Sequence, residues 1–408
     1  MKKSRIKKII LLWVVWTIIV LGFQTVAAMR LSPNRPDLSL FWTANETGRK
    51  SQEGKPYLLE PFLNKQVSWD SEYYLSIAVG SYEDLLMRRV PVPDGRLVSQ
   101  NYAFFSFYPF VVRLLAFPLQ VFGLSLIGRH ALAGVIVSLL GTLAGMFALY
   151  ELVKVELEDR GALRAVFYLL IFPTGFFLAQ VYSEGLFIGL AFWSLLFLRR
   201  KKWLWAGLLA VFTVWTRAVG VALIAAFAVD WVISIDWKAS VKPQLTREKM
   251  LMLIPVLLPV AAFLGWRFSV FGHNFFAVEA GFFSRGTLVV GRSIWGWLDA
   301  MKVFASQNDQ GKVVFAMEIA SILLATVSCF MTLRKYPVMS VFGLTAIAIA
   351  VFSGVPQSMA RYMLVVPSMY LVLGRWGKSE TFDRTWTTAS VLLMGLTAYL
   401  FTFDMWAG

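Results

Sequence analysis

The sequence predicts an all-α polytopic membrane protein, because it is strongly apolar and its apolar residues form long runs. Of the 408 residues, 58% are hydrophobic and only 15% are charged, and the mean hydropathy is +0.64. A soluble domain carries about 25% charged residues. A helix needs about 20 apolar residues to cross a bilayer, and such runs predict a single integral domain, 1–408, with about eleven transmembrane helices.

The first predicted element is an N-terminal membrane anchor. A basic stretch, 2–8, precedes an apolar run from Ile9 to Met29, which is longer than the core of a signal peptide. The Val26-Ala27-Ala28 end also suits a signal peptidase, so cleavage is the alternative to an uncleaved anchor. The basic flank predicts a cytoplasmic N-terminus.

A mixed polar and aromatic loop follows the anchor and precedes the remaining apolar segments. Candidate spans lie near 104–123, 130–152, 164–181, 182–198, 203–216, 218–235, 250–271, 312–333, 337–352, 360–375 and 386–404. The basic cluster 199–202 is expected in the cytoplasm, so an even number of crossings must separate it from the N-terminus. The segment 104–123 contains Pro109, Pro118 and Arg113, and we predict that it is an interfacial or re-entrant helix. It then belongs to a first extracytoplasmic loop, 30–125, with juxtamembrane helices.

The same charge rule divides 203–235 into two short helices that turn near Arg217. It places three further basic groups in the cytoplasm: the Lys238, Lys242, Arg247 and Lys249 group, Arg334-Lys335, and Arg375. On this topology Asp70, Glu184, Arg217 and Arg361 all reach the outer face. Charged groups close to a membrane are costly and usually functional, so this convergence predicts a site on the outer side.

The formal charge of +15 does not indicate nucleic-acid binding, because the basic residues gather in short loops between apolar segments. Membrane lipids and the phosphate of a lipid-linked substrate are the expected partners. The single cysteine, Cys329, and two distant histidines, His130 and His273, supply no disulfide and no His/Cys metal site. His273 is interpreted as a polar loop residue. We expect neither a metal nor a cofactor.

Several strings in the chain, taken together, resemble one known family. They are WDSEYYLSIAVGSY, YAFFSFYPFVVRLL, FYLLIFPTGFFLAQVYSEGLF, TVWTRAVGVAL and ARYMLVVPSMY, in this order over most of the chain. The set is similar to the phosphatidylinositol-glycan class V family, the second mannosyltransferases of GPI-anchor synthesis, together with prokaryotic relatives.

This resemblance implies a GT-C-like helix bundle whose first outer loop carries a catalytic acid. It also implies a polyprenyl- or dolichyl-phosphate sugar donor, often of mannose, and inversion at the anomeric carbon. Asp70 matches the acid after Trp, Glu184 the Glu of YSE, Arg217 the Arg of TRxxG and Arg361 the Arg of a late RY motif. Departures from the family pattern at Ser106-Phe107 and Ser71-Glu72 bear on the identity of the acceptor.

The catalytic assignment rests on two carboxylates in the first loop. A positioned carboxylate can activate an acceptor hydroxyl, an effect worth about 10²–10⁴-fold. We predict Asp70 as this base; its alternative role is to cap the helix after Trp69. Glu72 is a second candidate, and its alternative is a solvent-facing residue.

The expected phosphate ligands are arginines, whose planar fork suits phosphate better than a lysine does. Arg217 and Arg361 are the first candidates and Arg113 the third; the alternative for each is an anchor to lipid headgroups. Glu184 either orients one of these arginines or contacts substrate.

Aromatic residues near these charges complete the predicted substrate site. Tyr73 and Tyr182 are assigned to it, and Trp69 and Tyr74 are further candidates for stacking on sugar. Interfacial anchoring explains such residues equally well.

No GxGxxG or Walker sequence is present, so nothing in the chain predicts a nucleotide-sugar donor or the use of ATP. No DxD pair occurs in the first loop, which argues against diphosphate chemistry bridged by a metal ion. Both observations favour a metal-independent reaction with a lipid-phosphate sugar donor. The predicted function is transfer of a hexose, expected to be mannose, to a lipid-linked or glycan acceptor on the extracytoplasmic face. A transporter or flippase of lipid-linked sugars is the alternative, although no inverted repeat is visible. The expected location is a prokaryotic plasma membrane, or the endoplasmic reticulum in a eukaryote. The acceptor and the oligomeric state stay open.

Overall fold

The protein is almost wholly helical in a computed structural model that describes residues 2–33, 35–48, 51–235, 253–286 and 288–408. The helices of this part are α1 (Lys2–Arg30), α2 (Thr43–Glu46), α3 (Asp70–Gly80), α4 (Phe107–Leu119), α5 (Leu126–Leu170), α6 (Glu184–Arg199), α7 (Trp203–Val214), α8 (Ala222–Ser234), α9 (Leu253–Arg267), α10 (Val270–Gly281), α11 (Val290–Met301), α12 (Asp309–Leu333), α13 (Pro337–Val351), α14 (Met359–Met363), α15 (Pro367–Trp376) and α16 (Glu380–Thr402). A small hairpin of β1 (Arg89–Pro91) and β2 (Leu97–Ser99) pairs Val90 with Val98.

The all-α membrane-protein class is confirmed. Within the described residues, three helices are long and apolar enough to cross a bilayer: Ser4–Arg30, Leu126–Leu170 and Asp309–Leu333. The pair α9 and α10, bent by 70°, makes a fourth if it counts as one span. The other apolar helices are shorter, so the expected total of about eleven transmembrane helices stays a prediction.

The predicted spans 130–152 and 164–181 are organised differently from expectation. Both begin within α5, which is broken at Glu158, where φ is 57° and ψ is −169°. The helix ends at Leu170, so the prediction of a helix over 164–181 was wrong for its second half. Pro173 lies three residues further on, and proline interrupts a helix because it lacks an N–H and clashes with the preceding turn. Residues 171–183 form a buried connection that contains only a short 3₁₀ turn, Gly175–Ala179.

The basic clusters expected in the cytoplasm meet around the break at Glu158, where the first segment of α5 ends. Arg5 pairs with Asp159 at 2.9 Å, and Arg200 pairs with Glu151 at 2.7 Å. Glu156 forms an ion pair with Lys335 at 2.9 Å and accepts hydrogen bonds from Arg375. These contacts put the N-terminus, the 199–202 cluster and the two later groups on one face, as the charge rule requires. The Lys238, Lys242, Arg247 and Lys249 group lies outside the described residues.

The opposite end of α5 contacts the first loop. Ser125, which caps α5, donates from Oγ to Oε2 of Glu60 at 2.7 Å. In the preceding helix, α4, Arg113 donates to the carbonyls of Ile77 and Ala78 at 2.8 and 2.6 Å. The chain on both sides of α4 therefore stays beside the first loop. This arrangement favours the prediction that 104–123 does not cross the membrane.

Close packing of α5 against α6 fixes the start of α6. A side chain at Gly185 would collide with the carbonyl of Ser138, and one at Gly141 with the backbone of Gly185 and Leu186. Small residues let membrane helices approach closely. Glu184, the first residue of α6, is held in the interior by this contact.

Candidate active site

Asp70 begins α3 at a strained point of the backbone. Trp69, which precedes it, has φ 51° and ψ −113°, a positive-φ conformation that residues other than glycine rarely adopt. The Asp70 N–H donates to the hydroxyl of Tyr182 at 3.2 Å, and that hydroxyl donates to the Ser68 carbonyl at 3.1 Å. Such strain persists only where the surroundings enforce it, and it concentrates at functional sites.

The four charged residues predicted to converge form a continuous ion-pair network. Nη1 of Arg361 donates to Oδ2 of Asp70 at 2.8 Å, and Nε of Arg361 lies 3.4 Å from Oε1 of Glu184. The same Glu184 oxygen accepts from Nη1 of Arg217. Glu184 thus lies between the two arginines, and Asp70 is the last residue in this series of ion pairs.

Asp70 is the most accessible member of this network. Its side chain is 27% exposed, whereas those of Arg217, Arg361 and Glu184 are 9%, 7% and 0% exposed. Within the described residues, Oε2 of Glu184 and Nε of Arg361 are buried without a hydrogen-bond partner. Buried polar groups are seldom left unpaired, so these two atoms are unusual for the interior of a protein.

Aromatic rings enclose the guanidinium groups. The Arg361 Cζ lies 5.3 Å from the centre of the Phe177 ring and 5.1 Å from that of Tyr182. Arg217 and Arg361 also lie 5.2 and 5.7 Å from the centre of the Tyr362 ring. Cations are attracted to ring faces at these distances, which steadies the arginines away from water.

Sequence reasoning missed a third arginine at this place. Arg285 lies 5.8 Å from the same Tyr362 ring and donates to the Tyr362 hydroxyl at 2.8 Å and to the Gln357 carbonyl at 3.2 Å. Unlike Arg217 and Arg361, it has no carboxylate partner within 4 Å in the described part of the chain. The available signal was its position between the candidate spans 250–271 and 312–333, on the side of the membrane opposite to the Arg334-Lys335 group expected in the cytoplasm.

Three residues assigned to the site from the sequence lie apart from this network. Arg113 is engaged by carbonyls at the end of α3, as described above. Tyr73 stacks on Phe104 with ring centres 4.6 Å apart. Glu72 is buried, and burial raises the pKa of its carboxyl to about 7, with Asp404 adding to the rise and Lys55 opposing it. Substrate roles for these three stay predictions without support from contacts to the network.

The described residues contain no group of three His, Cys, Asp or Glu side chains that would hold a metal ion. The network and Arg285 together place one accessible carboxylate near three guanidinium groups. A carboxylate and guanidinium groups in such a set can activate a hydroxyl and stabilise a departing phosphate.

The family is shown by a profile described as Mannosyltransferase (PIG-V), which matches residues 6–273, more than half of the chain. The protein is thus a lipid-phosphate-sugar-dependent glycosyltransferase of the membrane. It belongs to the mannosyltransferase (PIG-V) family. Asp70, Glu184 and Arg217 lie inside the matched region, whereas Arg285 and Arg361 lie beyond it. Membership favours the enzyme over the transporter alternative.

Two solved structures are similar to this chain in fold. ArnT from Cupriavidus metallidurans, bound to undecaprenyl phosphate, is 14% identical; the match covers 87% of this chain and 74% of that one, with a TM-score of 0.47. The oligosaccharyltransferase AglB from Archaeoglobus fulgidus, in complex with an inhibitory peptide and a dolichol-phosphate, is 13% identical over 95% of this chain and 56% of that one, with a TM-score of 0.43. No curated protein sequence matches the chain.

Proposed function

We propose that this enzyme transfers mannose from a polyprenyl- or dolichyl-phosphate donor to a hydroxyl of a lipid-linked or glycan acceptor, with inversion. The whole chain acts as one integral domain, and the site faces the extracytoplasmic side. The observation that carries the proposal is the ion-pair chain from Asp70 through Arg361 and Glu184 to Arg217. It joins a base to phosphate-binding groups in one place.

Asp70 is the general base in this proposal. Its Oδ2 is held by Arg361, and its Oδ1 accepts no hydrogen bond from the described residues, so it can receive the proton of an acceptor hydroxyl. The hydroxyl oxygen attacks C1 of the sugar, the bond from C1 to the phosphate oxygen breaks, and the proton passes to Asp70. Attack from the side opposite the phosphate inverts the anomeric carbon.

The arginines stabilise the phosphate as it leaves with the electrons of the broken bond. Arg285 is the foremost candidate for the first contact, because among the described residues no carboxylate lies within 4 Å of its guanidinium, which instead donates to Tyr362 and to the Gln357 carbonyl. Arg361 and Arg217 add positive charge behind it; before the reaction they are paired with Asp70 and Glu184. Donors positioned where charge develops are usually the largest contribution to such catalysis.

The distribution of charged residues supports the proposed outer location of the site. The basic residues Arg5, Arg200, Lys335 and Arg375 gather where the first segment of α5 ends at its break, and the other end of that segment contacts the loop that carries Asp70. The positive-inside rule assigns the basic end to the cytoplasm. We propose a prokaryotic plasma membrane, or the endoplasmic reticulum if the source is eukaryotic.

The donor is tested with purified enzyme in detergent and a membrane lipid extract from a deletion strain as acceptor source. Labelled polyprenyl-phosphate mannose, polyprenyl-phosphate glucose and GDP-mannose are offered separately. We expect label in a lipid or glycan product only with the polyprenyl-phosphate mannose, and an anomeric configuration opposite to that of the donor. Transfer from GDP-mannose, or retention of configuration, would contradict the proposal.

A further inference from the structure

A cluster of three indole rings lies directly beside the proposed base. Trp42, Trp69 and Trp406 meet edge to face, with ring centres 5.3 to 5.6 Å apart and planes at 78° to 82°. They come from the first loop, from the residue before Asp70 and from the segment after α16. All three are half-buried, so each presents part of its surface to solvent.

A lysine and a buried carboxylate accompany the rings. Nζ of Lys55 lies 5.1 Å from the centre of the Trp69 ring and 3.4 Å from Oδ2 of Asp404. Asp404 is only 2% exposed. Among the described residues, its Oδ1 and the Nε1 of Trp406 are both buried without a hydrogen-bond partner. One of these atoms accepts and the other donates, as the two sides of a hydroxyl require.

Membrane anchoring does not account for this arrangement. Tryptophans in an interfacial belt present their rings to the lipid headgroups, whereas these three pack on one another around a buried charge. Trp69 is also held in its strained conformation by a hydrogen bond from Nε1 to the Met405 carbonyl at 3.2 Å. The C-terminal segment therefore fixes the indole that is adjacent to Asp70 in the chain.

We propose that Trp42, Trp69 and Trp406, with Lys55 and Asp404, form the acceptor subsite and bind a hydroxyl-rich ring, a sugar or a cyclitol. The apolar face of such a ring stacks on indole, and its hydroxyls pair with the lysine, the carboxylate and the Trp406 N–H. This inference rests on the proposed function. The donor's own sugar has the same chemistry, so the test must separate the two sources.

A kinetic experiment makes that separation. Label transfer from polyprenyl-phosphate mannose is followed while deletion-strain membranes are titrated as acceptor source, for wild type, Trp406→Ala, Trp406→Phe and Asp404→Asn. We expect Trp406→Ala and Asp404→Asn to raise the half-saturating amount of membranes at least fivefold, with a donor KM within twofold of wild type, and Trp406→Phe to recover part of the loss. Trp205→Ala, an exposed indole on α7, is the matched control. A raised donor KM with unchanged acceptor dependence, or no change in either, would overturn the inference.

A binding experiment tests the proposed acceptor subsite without relying on the transfer reaction. Saturation-transfer NMR with myo-inositol and methyl α-D-mannopyranoside is recorded on the Asp70→Asn protein, alone and combined with Trp406→Ala or Trp205→Ala. We expect signal for at least one probe that disappears with Trp406→Ala and persists with Trp205→Ala. If neither probe gives a signal, or if the signal survives Trp406→Ala, the subsite is refuted. Binding without label transfer in wild type would instead refute the proposed function.

Discussion

Arg361 donates a hydrogen bond from Nη1 to Oδ2 of Asp70 at 2.8 Å, across 291 positions of the chain. In the proposed reaction this contact couples the base to the leaving group. As Asp70 gains the acceptor proton it loses its negative charge, and its hold on Arg361 weakens. The guanidinium is then free to strengthen its interaction with the phosphate at the moment when negative charge develops there.

The first prediction concerns the base. Asp70→Asn keeps the size of the side chain but removes its charge and basicity, and we expect turnover with polyprenyl-phosphate mannose to fall at least about 10²-fold. Asp94→Asn, an exposed carboxylate in the same loop, is the control and is expected to stay within twofold. Activity of the Asp70 variant above a tenth of wild type, in protein that elutes as a single species, would exclude Asp70 as the base.

The second prediction concerns Arg285. Removing a charge-assisted hydrogen bond to phosphate costs about 1.5–3 kcal/mol, so Arg285→Ala is expected to reduce kcat/KM for the donor by roughly 10–150-fold. Because charge on the phosphate grows as it leaves, part of the loss is expected in kcat. Arg285→Lys is expected to recover little, since an ammonium lacks the planar fork. Arg292→Ala, on the exposed side of α11, is the control; equal effects of the two Ala variants would remove Arg285 from the site.

The third prediction separates charge balance from catalysis at Arg217. Arg217→Ala removes one of the positive charges that balance the buried carboxylate of Glu184. Breaking a buried ion pair costs about 3–5 kcal/mol. We therefore expect a lower Tm for Arg217→Ala and recovery of most of it in Arg217→Ala/Glu184→Gln, while transfer remains impaired in both. Recovery of activity together with Tm in the double variant would mean that Arg217 serves only to neutralise Glu184.

The fourth prediction concerns pH and Glu72. Burial raises the pKa of Glu72 to about 7, above the value of an unfolded chain, so the native state holds its proton longer than the unfolded state. The resulting stabilisation is present at low pH and is lost as pH rises through about 7.

Glu72→Gln removes this titration. The Tm of the variant relative to wild type is expected to increase between pH 5.5 and 8.0, by the equivalent of roughly 1–3 kcal/mol. Asp94→Asn is expected to show no such trend. A difference in Tm between Glu72→Gln and wild type that does not change with pH would show that Glu72 does not titrate in this range.

The fifth prediction concerns topology. Cysteines replacing Asp94 and Ser125, each in a Cys329→Ser background, are both expected to react with an impermeant maleimide added outside intact cells. The reason is that Ser125 contacts Glu60 of the first loop and the native cysteine is buried. Labelling at residue 94 alone would mean that the segment 104–123 crosses the membrane. Labelling at neither would place the loop in the cytoplasm.

The sequence by itself determined the class of protein, the family and the chemistry-bearing residues of the central network. Composition and apolar runs suffice for the class, because the charged fraction of 15% is far below the roughly 25% of soluble domains and the apolar runs are long enough to span a bilayer. The positions of the basic clusters also predict that Asp70, Glu184, Arg217 and Arg361 lie on the same side of the membrane. The side on which a loop lies is predicted from charge and from whether the number of crossings is odd or even.

Only the tertiary structure decided which of these residues touch and which substrate candidates lie elsewhere. Membrane helices are apolar on all faces, so hydrophobic periodicity does not reveal which face meets which neighbour; close contacts such as that between Gly141 and Gly185 do. The same packing turned Arg113 toward the carbonyls of α3 and brought Arg285 to Tyr362. It also places Asp404 beside Lys55 and Trp406 beside Trp69. These contacts join segments that are far apart in the sequence, so no local sequence pattern predicts them.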